Sequence, residues 1–401
     1  MSIIVQKFGG TSVANFEKMA EVCEIVKKTK ETGNDVVIVV SAMGRKGDPY
    51  ATDTLLGLLE QVTNNPTDRE KDMLMSCGEI ISSTLMASML TANGVEAVAF
   101  TGSQAGMMTN GVYSDAKIKD IDPSRIKREL EDGKVVVVAG FQGGDDRGDI
   151  NTLGRGGSDT SAVALGKALG CKYVEIYTDV DGIMTADPRV EPDAKVLDYI
   201  DYEEVFQMAD KGAKVIHPRA VQIAKDGNIT LAIKNTLNPS YEGTKICSVK
   251  NIENDGFECC CKEERFAVAN KRDIVQIKIK DNGTFTDILS EMEEKNISMD
   301  MINFFIGEKA FVIDEKDKDS LEKILKDNGV NYEIKTNCAK VTLIGSSMTG
   351  IPGVMSKVAR GLKEAEIPLL QTSDSSMTIS CLVDENDMEK AVHAIHSKFC
   401  C

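Results

Sequence analysis

The sequence predicts an α/β fold: an N-terminal, mainly parallel sheet sandwiched by helices, then two smaller βαββαβ modules. Three observations carry this. Valine-rich strands, apolar on both faces, alternate with amphipathic helices up to about residue 250, as expected of a parallel sheet covered on both sides. Those strands end repeatedly in glycine-containing turns, the ends at which open α/β sheets bind ligands. Beyond a polar, cysteine-rich connecting segment at 251–264 the order becomes β-α-β-β-α-β and then repeats.

Taken in order, Ile3 to Phe8 reads as a buried strand and leads into Lys7-Phe8-Gly9-Gly10-Thr11-Ser12-Val13. A helix from about Asn15 to Lys30 follows, with Val22, Ile25 and Val26 on its apolar side. Asp35 to Val40 is a second strand, ending in Ser41-Ala42-Met43-Gly44, and Arg45 to Asp53 is a polar loop. Asp68 to Asn93 is a long helical region holding Gly78-Glu79, and local sequence leaves open whether Glu79 is buried. Val95 to Phe100 is a third strand, Pro123 to Asp132 a charged helix, and Lys134 to Ala139 a fourth strand. Tyr173 to Thr178 is a fifth strand, ending in Asp179-Val180-Asp181-Gly182 and a polar loop through Thr185-Ala186-Asp187-Pro188-Arg189. Asp201 to Ala213 is helical, Lys214 to Arg219 leads into another helix, and Ile229 to Asn235 is a sixth strand.

Between the fourth and fifth strands lies Gly154-Arg155-Gly156-Gly157-Ser158-Asp159-Thr160-Ser161-Ala162. Its glycines let backbone amides converge on an anion, and the residues after them start a helix that Ser158 can cap. A helix N-terminus attracts negative charge, and Arg155 adds a planar fork of donors. The stretch around Lys7 repeats the arrangement. It is not a Walker A loop, because the lysine precedes the glycines.

In the C-terminal third, Asp273 to Lys280, Ser298 to Ile306, Lys309 to Ile313 and Asn331 to Thr336 are strands, with helices at Thr284 to Lys295 and Asp317 to Asn328. The second module runs through Ala339 to Gly345, Gly353 to Ala365, Ile367 to Thr372, Met377 to Val383 and Glu385 to Lys398, and lacks its final strand. Arg265 to Ala269 is the candidate to supply it, which would interleave the modules. The expected divisions are 1–250, 251–264, 265–336 and 337–401.

The chain has 401 residues and a formal charge of −16, which argues against nucleic-acid or anionic-membrane partners. No signal peptide and no run long enough to span a bilayer are expected, so the reading is cytoplasmic. Eleven scattered cysteines, including Cys259 to Cys261, without a CxxC pair read as reduced thiols. His393, His396 and Cys400 read as a solvated helix end, and no protein metal site is assigned.

Four glycine-bearing strand ends with Lys7, Arg155, Arg189 and Lys214 beside them call for a polyanion and a second small anion. Phosphoryl transfer fits, since it needs positioning and charge neutralisation. With only three histidines, a carboxylate acceptor, ionised at pH 7, is favoured over a hydroxyl.

These motifs, together with Tyr177-Thr178-Asp179-Val180-Asp181-Gly182 and Asp187-Pro188-Arg189, resemble those of the aspartate kinases of the amino-acid kinase family. The C-terminal repeat resembles their paired ferredoxin-like ACT domains. Ser41 to Asp53 resembles the monofunctional Gram-positive bacterial type, including diaminopimelate-sensitive members. The resemblance implies ATP-dependent phosphorylation of the L-aspartate β-carboxylate, the entry step to lysine, diaminopimelate, threonine and methionine. It implies Mg²⁺ held mainly by the nucleotide phosphates, and a homo-oligomer, at least a dimer through the ACT domains.

By motif matching, Lys7, Arg155 and Asp159 would be catalytic. Thr11, Ser12, Ser41, Glu79, Arg155, Gly156, Gly157 and Ser158 would hold aspartate, Arg155 taking a carboxylate. Glu79 would meet the ammonium or orient Lys7, and Asp159 would align Lys7 or the ammonium. Lys7, Phe8, Gly9, Gly10, Thr178, Asp179, Met184, Thr185, Ala186, Asp187, Pro188, Arg189, Lys214 and Val215 would hold the nucleotide. An amino-acid effector would bind at Asp281, Asn282, Gly283, Thr284, Phe285, Ser298, Met299, Asp300, Thr372 and Ser373. The first of these loops is short, and Phe304 stands where a glutamine is common. Meso-diaminopimelate is therefore the sharper guess over lysine or threonine. The runner-up activities are a glutamate or N-acetylglutamate kinase, or a silent amino-acid-sensing subunit.

Overall fold

Val36 to Val40 leave no polar face on the strand Asp35–Val40, and the chain buries all five residues by placing a strand on each side and helices above and below. The structure, a computed structural model, describes residues 2–212, 216–248, 266–280, 285–346, 348 and 351–400. It divides into two compact units that are discontinuous in sequence. The first is Met1–Ile183, Val196–Phe206 and Lys214–Cys259; the segments Met184–Lys195 and Gln207–Ala213 group with the C-terminal chain.

The first unit contains β1 (Ile3–Phe8), α1 (Phe16–Glu31), β2 (Asp35–Val40), α2 (Thr52–Val62), α3 (Asp68–Ala92), β3 (Ala97–Phe100), β4 (Met107–Thr109), β5 (Ile118–Ile121), α4 (Ser124–Glu131), β6 (Val135–Ala139), β7 (Gln142–Gly144), β8 (Ile150–Thr152), α5 (Gly157–Leu169) and β9 (Tyr173–Thr178). The chain continues through β10 (Tyr199–Ile200), α6 (Tyr202–Asp210), α7 (Pro218–Gly227), β11 (Thr230–Asn235) and β12 (Thr244–Ile246). The main sheet has eight strands in the order β10-β12-β11-β9-β1-β2-β6-β3. From β11 to β3 every neighbouring pair is parallel, so the carboxyl ends of β11, β9, β1, β2 and β6 open on one edge.

Three features depart from expectation. A second sheet, β5-β4-β7-β8, is made of strands of three or four residues, too short to leave a period-two signal. Helix α2 begins at Thr52, inside the expected loop. Helix α3 is long and apolar enough by composition to cross a membrane, contrary to the reading that no such run exists; half of that window is buried in this unit, where Met86 and Leu90 join the core. Helix α1 does start where expected, with the Asn15 side chain accepting from the Lys18 N–H.

The second unit contains β13 (Phe266–Lys280), α8 (Phe285–Glu294), β14 (Asp300–Phe305), β15 (Glu308–Asp314), α9 (Lys318–Asp327), β16 (Tyr332–Gly345), α10 (Val354–Glu364), β17 (Gln371–Asp374), β18 (Thr378–Asp384) and α11 (Met388–Phe399). One antiparallel sheet runs β14-β15-β13-β16-β18-β17. Two strands expected at 265–269 and 273–280 are fused in β13, with register shifts between Lys271 and Gln276 and a positive φ at Asp273. β16 likewise fuses the strands expected before and after Asn337. Phe266–Lys271 pairs with Lys340–Gly345, while Gln276–Ile279 pairs with Tyr332–Lys335. Each long strand therefore belongs to both halves of the sheet. The sheet also curls until its edge strands meet: Gln371 on β17 donates to the Met301 carbonyl and, at 2.7 Å, to Asn303 on β14. The cysteines described carry no disulfide among the described residues.

Candidate active site

Parallel strand ends place the glycine loops side by side, and close backbone approach locks them together. The Gly44 N–H donates to the Gly10 carbonyl at 3.0 Å, and the Gly9 N–H to the Tyr177 carbonyl at 3.3 Å. A Cβ on Gly10 would lie 2.7 Å from the Ala42 carbonyl oxygen and 2.8 Å from that of Gly44. Lys7, next to last in β1, lies over Gly9, and its Nζ is 2.6 Å from Asp159 Oδ1. The contact is ionic rather than a well-aligned hydrogen bond. Asp159 sits in the first turn of α5, where the helix end favours a carboxylate.

Glu79 is resolved as buried, 3% exposed, on α3. Its Oε1 accepts the Ala42 N–H at 3.0 Å, while Oε2 has no partner among the described residues. Desolvation pushes its pKa up to about 8, against the opposing Ala42 hydrogen bond. Gly78 lets the helix approach: a Cβ there would lie 2.8 Å from that of Ala42. A buried carboxyl group with one oxygen unpartnered among the described residues, held against the β2 loop by the Ala42 N–H, can take a cation or a hydrogen-bond donor.

Arg155 is exposed at the head of α5. The expected Ser158 cap is corrected: the N-cap is Gly156, with φ +70° and no side-chain cap bond, and Ser158 is buried one step inside. Gly156 is required because His217 fills the space a Cβ would take. His217 caps α7 through Nδ1, which accepts the Arg219 N–H at 3.3 Å. Burial, then Arg219, lowers its pKa; Asp159 opposes and Arg155 adds to the lowering, so these charges share one neighbourhood. Ser12 is buried and already bonded to Thr236 at 2.6 Å, while Thr11 and Ser41 are half-buried at the strand ends. Gly157 is buried and offers only backbone.

The nucleotide assignments scatter. Thr178 and Asp179 end β9 at the open edge, with Asp179 bonded to Arg45 at 2.5 Å. The Phe8 ring is a correction: it is fully buried, stacked on Tyr177 at 4.7 Å, and leaves only its backbone to a ligand. Met184, Thr185, Ala186, Asp187, Pro188 and Arg189 group with the second unit. There Thr185 bonds His396 Nε2 at 2.8 Å, Ala186 joins the core, and Arg189 pairs with Asp187 at 2.6 Å. Lys214 and Val215 lie outside the described residues.

Among the effector assignments, Asp281, Asn282, Gly283 and Thr284 lie outside the described residues. Phe285 is a core residue, edge-on to Phe304. Ser298 is exposed, Met299 packs on the core, Asp300 pairs with buried Lys340, and Thr372 and Ser373 are half-buried on β17. The solvated helix end is overturned for His396, which is 1% exposed; His393 is exposed as expected, with its Nδ1 on buried Glu191 at 2.8 Å. Sequence reading missed Arg45, Thr236, His217 as a packing partner, and Lys340. A basic residue just after the β2 glycine turn was the available sign for Arg45; Thr236 gave none.

A parallel sheet whose glycine loops, paired lysine and helix N-terminus converge on one edge defines a kinase of small anionic substrates. Comparison narrows this. The amino acid kinase family model matches residues 2–235, and an ACT domain model matches 333–397. The chain is 44% identical over its whole length to aspartokinase 1 of Bacillus subtilis, of which it covers 99%. It is 38% identical to the aspartokinase of Pseudomonas aeruginosa, again over the whole chain and 98% of that protein. Among solved structures, Escherichia coli aspartokinase III in complex with aspartate and ADP superposes with a TM-score of 0.76 at 26% identity, covering 99% of each chain. The chain belongs to the amino acid kinase family, in its aspartokinase branch.

Proposed function

We propose that this chain transfers the γ-phosphoryl group of ATP to the β-carboxylate of L-aspartate, giving ADP and 4-phospho-L-aspartate. The observation that carries the reading is the Lys7–Asp159 pair set over the Gly9-Gly10 loop, which interlocks with the β2 loop whose Ala42 N–H holds the half-satisfied Glu79. An aspartate carboxylate oxygen attacks the γ-phosphorus as the bond to the β,γ-bridging oxygen breaks. Nucleophile and leaving group are both anionic, so no proton is transferred. Lys7 neutralises charge on the transferring group, and Asp159 holds Lys7 in place. Glu79 Oε2 receives the substrate ammonium, Arg155 a substrate carboxylate, and Thr178 and Asp179 the nucleotide. Thr11 and Ser41 line the aspartate, and by motif Lys214 joins Thr178 and Asp179 on the nucleotide.

Mg²⁺ would ride on the nucleotide phosphates and add neutralising charge there. Among the described residues no cluster of three or more acidic, His or Cys side chains could cage an ion, and Asp159, Asp179 and Asp181 are each already bonded. The ACT half is the site for an amino-acid effector, with Asp300, Thr372 and Ser373 where the sheet edges meet, and a cytoplasmic homodimer is the expected assembly. A relative, Escherichia coli aspartokinase III, has been solved with lysine and aspartate in a T-state, which supports an amino-acid effector here. The test is ADP release with aspartate, glutamate or N-acetylglutamate as acceptor, repeated with each end-product amino acid. Turnover on aspartate alone, inhibited by diaminopimelate, is expected; turnover on glutamate overturns the substrate, and inhibition by threonine alone overturns the effector.

A further inference from the structure

We propose that Arg45 is a further catalytic residue, one that leaves Asp179 and closes on the transferring phosphate. This rests on the phosphoryl-transfer reading above. The argument begins with sheet order. β1 lies between β2 and β9, so a bond from the loop after β2 to the loop after β9 must cross the end of β1. The Arg45–Asp179 ion pair, 2.5 Å long, is such a bond, and the end it crosses holds Lys7, Gly9 and Gly10.

The root of Arg45 is fixed to that end while its tip is held lightly. The neighbouring Gly44 N–H is bonded to the Gly10 carbonyl, and the Arg45 N–H donates to Asp48 Oδ2 at 2.7 Å. The Gly47 N–H is in turn held by Thr54 at 3.1 Å. At the other end, the guanidinium is 71% exposed and the Asp179 carboxylate 45%. An ion pair open to water on both sides is weak and readily exchanged. A γ-phosphoryl group over Gly9-Gly10 offers more charge and a bidentate match to the planar fork.

The chemistry calls for such a group. Charge in the transition state spreads over three equatorial oxygens, and Lys7 is a single ammonium already shared with Asp159. The exchange also frees Asp179, a nucleotide residue in the proposed site, at the moment nucleotide arrives. One event thus closes the phosphate end and opens a hydrogen-bond acceptor for the nucleotide.

The experiment uses the full chain, Arg45→Met and Arg45→Lys, with folding checked by circular dichroism. Aspartate-dependent ADP release by the unsubstituted enzyme comes first; if that is absent, the site reading itself falls. With it present, Arg45→Met is expected to lower kcat by roughly 10²-fold or more, with the aspartate KM changed by less than about threefold. Arg45→Lys recovers part of the loss. Calorimetry with ADP and with a non-hydrolysable ATP analogue supplies the second readout. Affinity for the analogue is expected to drop about tenfold in Arg45→Met while affinity for ADP holds, because the lost contact is to the terminal phosphate. A merely structural latch would move both affinities together. The proposal is overturned by a kcat within about twofold of the unsubstituted enzyme, or by equal weakening of ADP and analogue. If Arg45→Met does not fold, Arg45→Lys decides by the same ratio: a fall in analogue over ADP affinity supports the contact and an unchanged ratio overturns it.

Discussion

Lys7 and Glu79 face opposite electrostatic problems at one site. The lysine is 12% exposed and pairs with Asp159 at 2.6 Å; the glutamate is 3% exposed, with one oxygen unpartnered among the described residues. Lys7→Ala is expected to abolish turnover while the circular dichroism spectrum and the melting temperature hold, because the residue sits at a strand end rather than in the core. Near-normal kcat in that variant would remove Lys7 from the mechanism. Glu79 gives a pH signature whose sign follows from its raised pKa. Between its ordinary value of 4.5 and about 8 the folded, ligand-free chain holds a proton that the unfolded chain has lost. Folding stability contributed by this residue therefore falls as pH rises through that window. Glu79→Gln should flatten the slope in a pH series of thermal melts and raise the aspartate KM by roughly 10²-fold, since a charge-assisted bond to the ammonium is lost. An ammonium binding the ionised carboxylate displaces the proton. Calorimetry at pH 7 in buffers of different ionisation enthalpy should then report release of about one proton per aspartate bound. Zero release would take the ammonium away from Glu79.

At the scale of elements, function depends on how tightly neighbouring strand ends are packed. The loops after β1 and β2 touch backbone to backbone at Gly10, where a Cβ would lie 2.7 Å from the Ala42 carbonyl oxygen. Gly10→Ala must push the β2 loop away, and that loop carries the Ala42 N–H bound to Glu79 and the Arg45 side chain. Loss of kcat by roughly 10- to 100-fold is expected, with a melting temperature lower by several degrees, because backbone cannot move aside as a side-chain tip can. Unchanged kinetics would mean that the loops are not coupled. Helix α5 works in a related way. It starts on a left-handed glycine without a side-chain cap, and its first amide, the Gly157 N–H, is held by the Gly154 carbonyl at 3.0 Å.

For the whole molecule, the decisive fact is that the two compact units exchange segments. Met184–Lys195 follows the Asp179–Gly182 turn in sequence but packs its Ala186, Val190 and Ala194 into the core of the second unit. Glu191 on this segment is 1% exposed and held by His393, with His396 at 3.9 Å. A fragment beginning at residue 260 lacks the segment and leaves that apolar surface and His393 bare. It should melt at a lower temperature than the same unit in the full chain, and a 184–195 peptide added in trans should raise its melting point. A fragment indifferent to the peptide would show that the segment is not part of its core.

The sequence by itself determined what is local: six of the eight main-sheet strands, read within about two residues because each is a short apolar-rich run, and the glycine loops at their ends. It also pointed to Lys7, Asp159 and Arg155 through loop chemistry, and to the rest of the assignments through resemblance. It did not reveal the strands of the second sheet, which at three or four residues each are too short to carry a periodicity. It left Glu79 undecided, because burial depends on the fit of Gly78 against Ala42, not on the neighbours of Glu79 in sequence. It misread His396 as solvated, since the partner that buries it, Thr185, lies 211 residues away. Only the tertiary structure decided that Arg45 reaches across β1 to Asp179, that two pairs of strands are fused into β13 and β16, and that residues 184–195 belong to the other unit. Such decisions rest on which distant backbones approach closely enough to exclude water, and a linear pattern holds no record of that distance.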